Sequence, residues 1–116
     1  MVRAGIQGGA EAFLAAFGQV FGPAEGAFAG RLRAADLQAY MALLQDRPGL
    51  DELLPHISAP CCLYAGEADD IYFQARAGSE RISGAAFLWF PGLDHCQAFV
   101  RADLVLPLVL KFLRGD

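Results

Sequence analysis

The sequence has few basic residues, and those present are scattered along the chain. Nine lysines and arginines stand against 13 aspartates and glutamates, which gives a net charge of −4 at pH 7. Proteins that bind nucleic acids or anionic membrane surfaces do so mainly through clustered basic side chains. The sequence therefore predicts no nucleic-acid partner and no attachment to a membrane.

Long apolar runs and paired cysteines are also missing. The longest apolar stretch, Leu104 to Leu110, contains Pro107 and is far shorter than the ~20 residues that a membrane-spanning helix needs. The first 13 residues hold one arginine and no compact apolar block, so they predict no signal peptide. Three cysteines, two of them adjacent at Cys61 and Cys62, do not form a disulfide framework, and we expect a reducing cytoplasm.

The chain is nevertheless rich in apolar residues. They make up 55% of the 116 residues, although a small domain has much surface for its volume and should need more polar side chains. Such a chain either buries part of its surface against something else or belongs to a larger core. We favour the second interpretation.

Two short apolar runs predict buried strands. Cys61 to Ala65 is closed by Gly66, and Ala85 to Phe90 is closed by Pro91-Gly92. Between them, apolar and small residues recur at helical spacing, and either of two aspartates could cap the helix start (Ile71, Ala75, Gly78 and Ile82; Asp69 and Asp70). A strand, a helix and a strand with short connections predict a parallel βαβ unit and an α/β fold class.

Helices are predicted on both sides of this unit. Before it we expect helices over 9–21, 24–33 and 35–46, with residues 1–8 frayed and a short amphipathic turn over 50–54. After it, Asp103 can open a terminal helix over 104–113 that is apolar almost all round and therefore buried. These elements suggest a helical region with a connector over 1–54 and a βαβα region over 55–116.

Two titratable side chains follow the ends of the predicted strands. Asp69 comes after the first strand and His95 after the second, and functional groups collect beyond the carboxyl ends of parallel strands. Taken alone, Asp69 is more simply a helix cap and His95 an ordinary loop histidine. A zinc site built from the cysteines and histidines is disfavoured because there is no Cys-x-x-Cys pair, so no metal or other cofactor is predicted.

The second half of the chain resembles a known family. The segments LPHISAPCCLYAGEADD, GAAFLWFPGLDH and LPLVLKFL are similar to the C-terminal part of an α/β-hydrolase. In that family the acid of a Ser–His–Asp triad follows the penultimate strand, the histidine follows the last strand, and a terminal helix packs back on the sheet. The resemblance implies catalytic roles for Asp69 and His95, and it implies that the first third of the chain belongs to the family's cap region.

The sequence departs from this family where the nucleophile should be. The family places a serine in Gly-x-Ser-x-Gly on a tight turn between a strand and a helix. None of the three serines here, Ser58, Ser79 and Ser83, lies in such a motif. The resemblance therefore implies part of a hydrolase for an ester or a similar small acyl substrate, inactive alone because it lacks the nucleophile and the loops around it.

Two alternatives stay open. In the first, the chain is a non-catalytic pairing module that uses an exposed sheet edge, either to self-associate or to bind a missing N-terminal half. It can equally be a truncated product without function. The residues alone do not decide between an enzyme and either alternative, and they do not identify the substrate.

Overall fold

The computed structural model describes residues 1–44 and 48–116. The chain divides into two compact units, Met1–Pro48 and Gly49–Asp116. Within the described residues, no helix combines the length and apolar character needed to cross a membrane.

The first unit contains three helices, α1 (Val2–Phe21), α2 (Gly26–Arg33) and α3 (Leu37–Leu44). The predicted end of the third helix at residue 46 falls outside the described residues. Phe13 and Phe17 are buried in α1, whereas Val20 of α1 and Tyr40 of α3 are exposed. Short helices packed on one another bury only a narrow stripe each, which explains why the flanking apolar positions face outward.

The expected fraying of residues 1–8 is wrong, because α1 begins at Val2. Gly9 interrupts the helix with φ 80° and ψ −175°, a conformation that favours glycine, so α1 consists of two helical parts joined at a kink. A Cβ on Gly5 would lie 2.5 Å from Cδ1 of Leu37 and 2.6 Å from Cβ of Phe13. This close packing holds a segment whose own helix propensity is low.

The second unit is built around a parallel pair of strands. A 3₁₀ helix (Asp51–His56) leads to β1 (Cys62–Gly66), α4 (Tyr72–Arg81) and β2 (Ala86–Phe90), followed by α5 (His95–Val100) and α6 (Ala102–Arg114). The strands pair in parallel from Cys62 with Ala86 to Gly66 with Phe90. The predicted βαβ unit is confirmed, and each strand lies within one residue of its predicted bounds.

The core of this unit lies between β2 and the last two helices. Its buried members are Phe90, Leu93, Ala98 and Val105, with Leu88 and Val109 packed against them. The prediction that the terminal helix is buried all round is wrong, since five leucines of α6 are exposed: Leu104, Leu106, Leu108, Leu110 and Leu113. A two-stranded sheet offers a narrow surface, so α6 covers it with only one stripe of side chains.

Candidate active site

Asp69 and His95 are brought together where β1 and β2 end. Nδ1 of His95 lies 2.7 Å from Oδ2 of Asp69, so the expected meeting of these side chains is confirmed. The Asp69 side chain is 3% exposed and that of His95 is 36% exposed. One partner is thus shielded from water while the other reaches the surface.

Backbone hydrogen bonds continue beyond the strands and join the two following loops. The amide of Glu67 donates to the Phe90 carbonyl at 2.9 Å, and that of Ala68 donates to the Leu93 carbonyl at 3.0 Å. The Gly92 amide also donates to Oε2 of Glu67 at 3.2 Å. These bonds fix the loop that carries Asp69 against the loop that leads to His95.

Gly66 permits this close approach. A Cβ at this position would collide with the backbone carbonyl oxygen of Leu93 and would lie 2.6 Å from the carbon of that carbonyl. It would also lie 3.0 Å from the Asp94 carbonyl oxygen. These atoms belong to the backbone and cannot rotate away as a side chain could, so any larger residue must push the two loops apart.

The two carboxylate oxygens of Asp69 have different partners. Oδ1 accepts a hydrogen bond from the Ile71 amide at 3.0 Å, while Oδ2 faces His95. The N-cap of α4 is Ile71, so neither Asp69 nor Asp70 is the N-cap that the sequence suggested. Asp69 instead holds the turn just before the helix. The structural role of Asp69 in this turn and a functional role beside His95 are therefore compatible, because the first uses Oδ1 and the second uses Oδ2.

A short helix that the sequence analysis missed positions His95. His95 is the first residue of α5, and Asp94 is the N-cap: its Oδ1 accepts from the Gln97 amide at 2.8 Å. The Gln97 side-chain oxygen accepts from the Asp94 amide at 3.0 Å, which completes a capping box. The acidic residue three positions before a glutamine is a local signal that could have predicted this helix.

The hydrogen bond to Asp69 fixes the tautomer of the imidazole. An ionised carboxylate can only accept, so Nδ1 of His95 carries the proton and Nε2 is the basic nitrogen of the ring.

Cys96, the next residue, is buried, and burial together with the nearby Asp94 and Asp69 carboxylates raises the pKa of its thiol. A raised pKa keeps this cysteine protonated and therefore a poor nucleophile.

A small pocket of about 120 Å³ adjoins the pair. Its lining is mostly apolar and includes no serine or cysteine: Tyr64, Ala65, Asp69, Ile71, His95, Ala98 and Phe99. Of the three serines, Ser79 lies in α4, where its hydroxyl donates to the Arg76 carbonyl at 2.6 Å. Across residues 1–44 and 48–116, no group of three histidine, cysteine, aspartate or glutamate side chains could hold a metal ion.

Solved structures share this arrangement of elements. The crystal structure of the enol-lactonase from Burkholderia xenovorans LB400 matches with a TM-score of 0.75 and 20% sequence identity. The match covers 97% of this chain and 48% of that one. This chain has part of the α/β-hydrolase fold.

A second α/β-hydrolase, Est816, described as an N-acyl homoserine lactone degrading enzyme, matches with a TM-score of 0.56 and 21% identity. That match covers 98% of this chain and 50% of Est816. The chain thus spans about half the length of both hydrolases. No family model matches the sequence, and no curated protein matches it.

The structural matches confirm the fold class expected from the sequence, and the elements of the fold follow in the expected order. A parallel strand pair, an acid after the first strand, a histidine after the second and a terminal helix follow in the order that the resemblance implied. The half-length match corresponds to the C-terminal portion of such a hydrolase. The catalytic roles of Asp69 and His95 rest on their geometry and stay predictions.

Proposed function

We propose that this chain provides the acid–base half of a serine hydrolase site. His95 would accept the hydroxyl proton of a serine that lies outside these 116 residues, and it would return the proton to the leaving group. Asp69 would hold the imidazole in the required tautomer and stabilise the imidazolium. The observation that carries this proposal is the 2.7 Å contact between Nδ1 of His95 and Oδ2 of the buried Asp69.

The chemistry divides into two proton transfers at Nε2 of His95. In the first, the serine oxygen bonds to the substrate carbonyl carbon while its proton moves to Nε2. In the second, the bond from that carbon to the alkoxy oxygen breaks, and the proton moves from Nε2 to the departing oxygen. Water then repeats the sequence to release the acid and regenerate the serine. Asp69 stays ionised throughout.

The proposed substrates are carboxylic esters, including cyclic esters. The pocket beside the pair is small and mainly apolar, which suits a short acyl group better than a charged one. Both matched hydrolases are described by their action on lactones, which are cyclic esters.

By itself the chain should not turn over such substrates. A hydrolase that loses a triad member keeps some rate through its oxyanion hole and substrate binding, but the segments that supply the nucleophile in this fold are not part of these 116 residues. We expect the purified chain to hydrolyse p-nitrophenyl acetate no faster than an equal concentration of free imidazole. Faster turnover that His95→Ala abolishes would contradict this account.

A chimaera provides the positive test. The N-terminal half of the Burkholderia xenovorans enol-lactonase is joined ahead of this chain, and folding is checked by a cooperative thermal transition. We expect ester or lactone hydrolysis that falls by about 10⁴-fold or more with His95→Ala. His56→Ala, a change of the other histidine, should leave the rate unchanged. A folded chimaera that is inactive, or whose activity survives His95→Ala, would refute the proposal.

The pairing module is the second candidate, and the exposed leucines of α6 favour it. Five leucines of this helix are exposed, and they flank its buried stripe on both sides, where a partner could cover them. The partner we propose is the complementary half of the hydrolase sheet, because the chain spans about half of both matched structures. Light scattering coupled to size-exclusion chromatography tests this: a monomer that does not bind the purified enol-lactonase half would argue against it.

A further inference from the structure

A second pocket lies between α4 and β2, and it shares no lining residue with the pocket beside Asp69 and His95. It has a volume of about 340 Å³ and is lined by Tyr72, Arg76, Phe87 and Trp89. All four residues belong to the unit Gly49–Asp116. The pocket lining combines three aromatic rings with one guanidinium.

The aromatic side chains come from both walls of the pocket. Phe87 and Trp89 are two positions apart on β2, so they point to the same face of the sheet. Tyr72 on α4 reaches the same place: its ring centroid lies 5.7 Å from that of Phe87, at an interplanar angle of 62°. Trp89 is 53% exposed, although tryptophan is highly buried on average. Its ring is therefore available for stacking.

The charged side chain in the pocket lining is Arg76, and its ion pair is weak. Nε of Arg76 lies 3.4 Å from Oε1 of Glu80, and both side chains are more than half exposed. An exposed pair at this distance contributes little to stability, so a bound anion could displace Glu80 at low cost. The same cation argues against a quaternary ammonium ligand, which three aromatic rings would otherwise suit.

We propose that this pocket binds a small, planar aromatic carboxylate. The ligand ring stacks on Trp89 and meets the edges of Phe87 and Tyr72, and its carboxylate forms a paired hydrogen bond with the Arg76 guanidinium. Aromatic rings contribute offset or edge-to-face contacts, and the planar fork of arginine matches a carboxylate. This binding requires neither Asp69 nor His95 and is independent of the hydrolase proposal.

The single tryptophan of the chain gives a direct test. The indole N–H of Trp89 produces one resonance in a ¹H–¹⁵N spectrum of the full chain. Three probes are titrated: 2-naphthoate, the uncharged 2-naphthalenemethanol, and cyclohexanecarboxylate, which is charged but not planar. For 2-naphthoate we expect a saturable shift with a Kd on the order of 1 mM, the affinity typical of such a small ligand. The other two probes should bind several-fold more weakly.

Two arginine variants on α4 test whether the charge of Arg76 contributes to binding. Arg76→Gln should weaken 2-naphthoate binding about fivefold and leave 2-naphthalenemethanol unaffected, as expected for one exposed charged contact. Arg81→Gln, at the end of the same helix but outside the pocket, should change neither. Equal binding of all three probes, an unchanged affinity with Arg76→Gln, or no saturable shift up to 20-fold above the expected Kd would overturn the proposal.

Discussion

Replacing Gly66 with alanine should destabilise the second unit and separate the proposed catalytic pair. The added Cβ would collide with the Leu93 carbonyl, so the loop after β2 must move away from the end of β1. Forcing extra volume into a packed site costs about 1–3 kcal/mol. Losing the hydrogen bond from Ala68 to the Leu93 carbonyl costs about 1 kcal/mol more. Together these terms predict a loss of about 2–4 kcal/mol in the free energy of unfolding.

Urea denaturation followed by tryptophan fluorescence measures this change. Trp89 is the only tryptophan, so its signal reports on the unit that contains Gly66. The matched control is Gly78→Ala in α4, where a Cβ would meet only Cδ2 of Leu63 at 4.0 Å. Alanine has the higher helix propensity, so this control should stabilise the unit by about 0.5–1 kcal/mol.

Replacement by alanine should therefore lower the free energy of unfolding at Gly66 and raise it at Gly78. Nuclear magnetic resonance adds a second measurement, because the low-field proton on Nδ1 of His95 should be lost in Gly66→Ala and kept in Gly78→Ala. If Gly66→Ala is as stable as the unchanged chain and keeps this proton, the close approach of the two loops does not depend on the glycine.

Three further predictions concern the surroundings of the pair. Asp94→Ala removes the capping box of α5 and should lower the free energy of unfolding by about 1 kcal/mol in urea denaturation. In Asp69→Asn the Ile71 amide keeps the side-chain oxygen on its side, so the NH₂ donor faces Nδ1 of His95, and ¹⁵N shifts should show the imidazole proton moving to Nε2. Because burial raises the pKa of Cys96, iodoacetamide at pH 8 should alkylate it more slowly than the half-buried Cys61, as measured by mass spectrometry.

Each of these has a control. Asp70→Ala changes an exposed aspartate beside the site and should alter stability by less than about 0.5 kcal/mol; a loss as large as that of Asp94→Ala would remove the capping argument. Asp69→Glu keeps a carboxylate and should keep the Nδ1 proton. Alkylation of Cys96 at the rate of Cys61 in the folded chain would show that burial does not protect it.

The sequence predicted the centre of the second unit well because its signals are local and agree with one another. Each strand is a short apolar run closed by a glycine or by Pro91-Gly92, and the helix between them is of ordinary length. Once the strands are parallel, their carboxyl ends meet, and the contact between Asp69 and His95 follows from topology.

Other features depend on contacts that periodicity does not contain. The first eight residues have weak helix propensity, and only the packing of Gly5 against Phe13 and Leu37 shows why they are ordered. The apolar character of α6 predicted burial, but the width of the surface beneath it decides how many faces are covered. The helix that begins at His95 was hidden because its capping box follows a proline and a glycine, which predicted a loop.

The hydrogen bonds described for the pair all join residues between 66 and 97, a segment of about 30 residues. One continuous segment therefore determines the geometry of the acid and the base, without contributions from distant parts of the chain. Such a segment can be transferred to another protein. A designer could move Gly66, Asp69, Asp94 and His95 with their spacing onto another parallel strand pair. The helices before residue 49 could then diverge, in evolution or in the laboratory, while this local geometry is inherited intact.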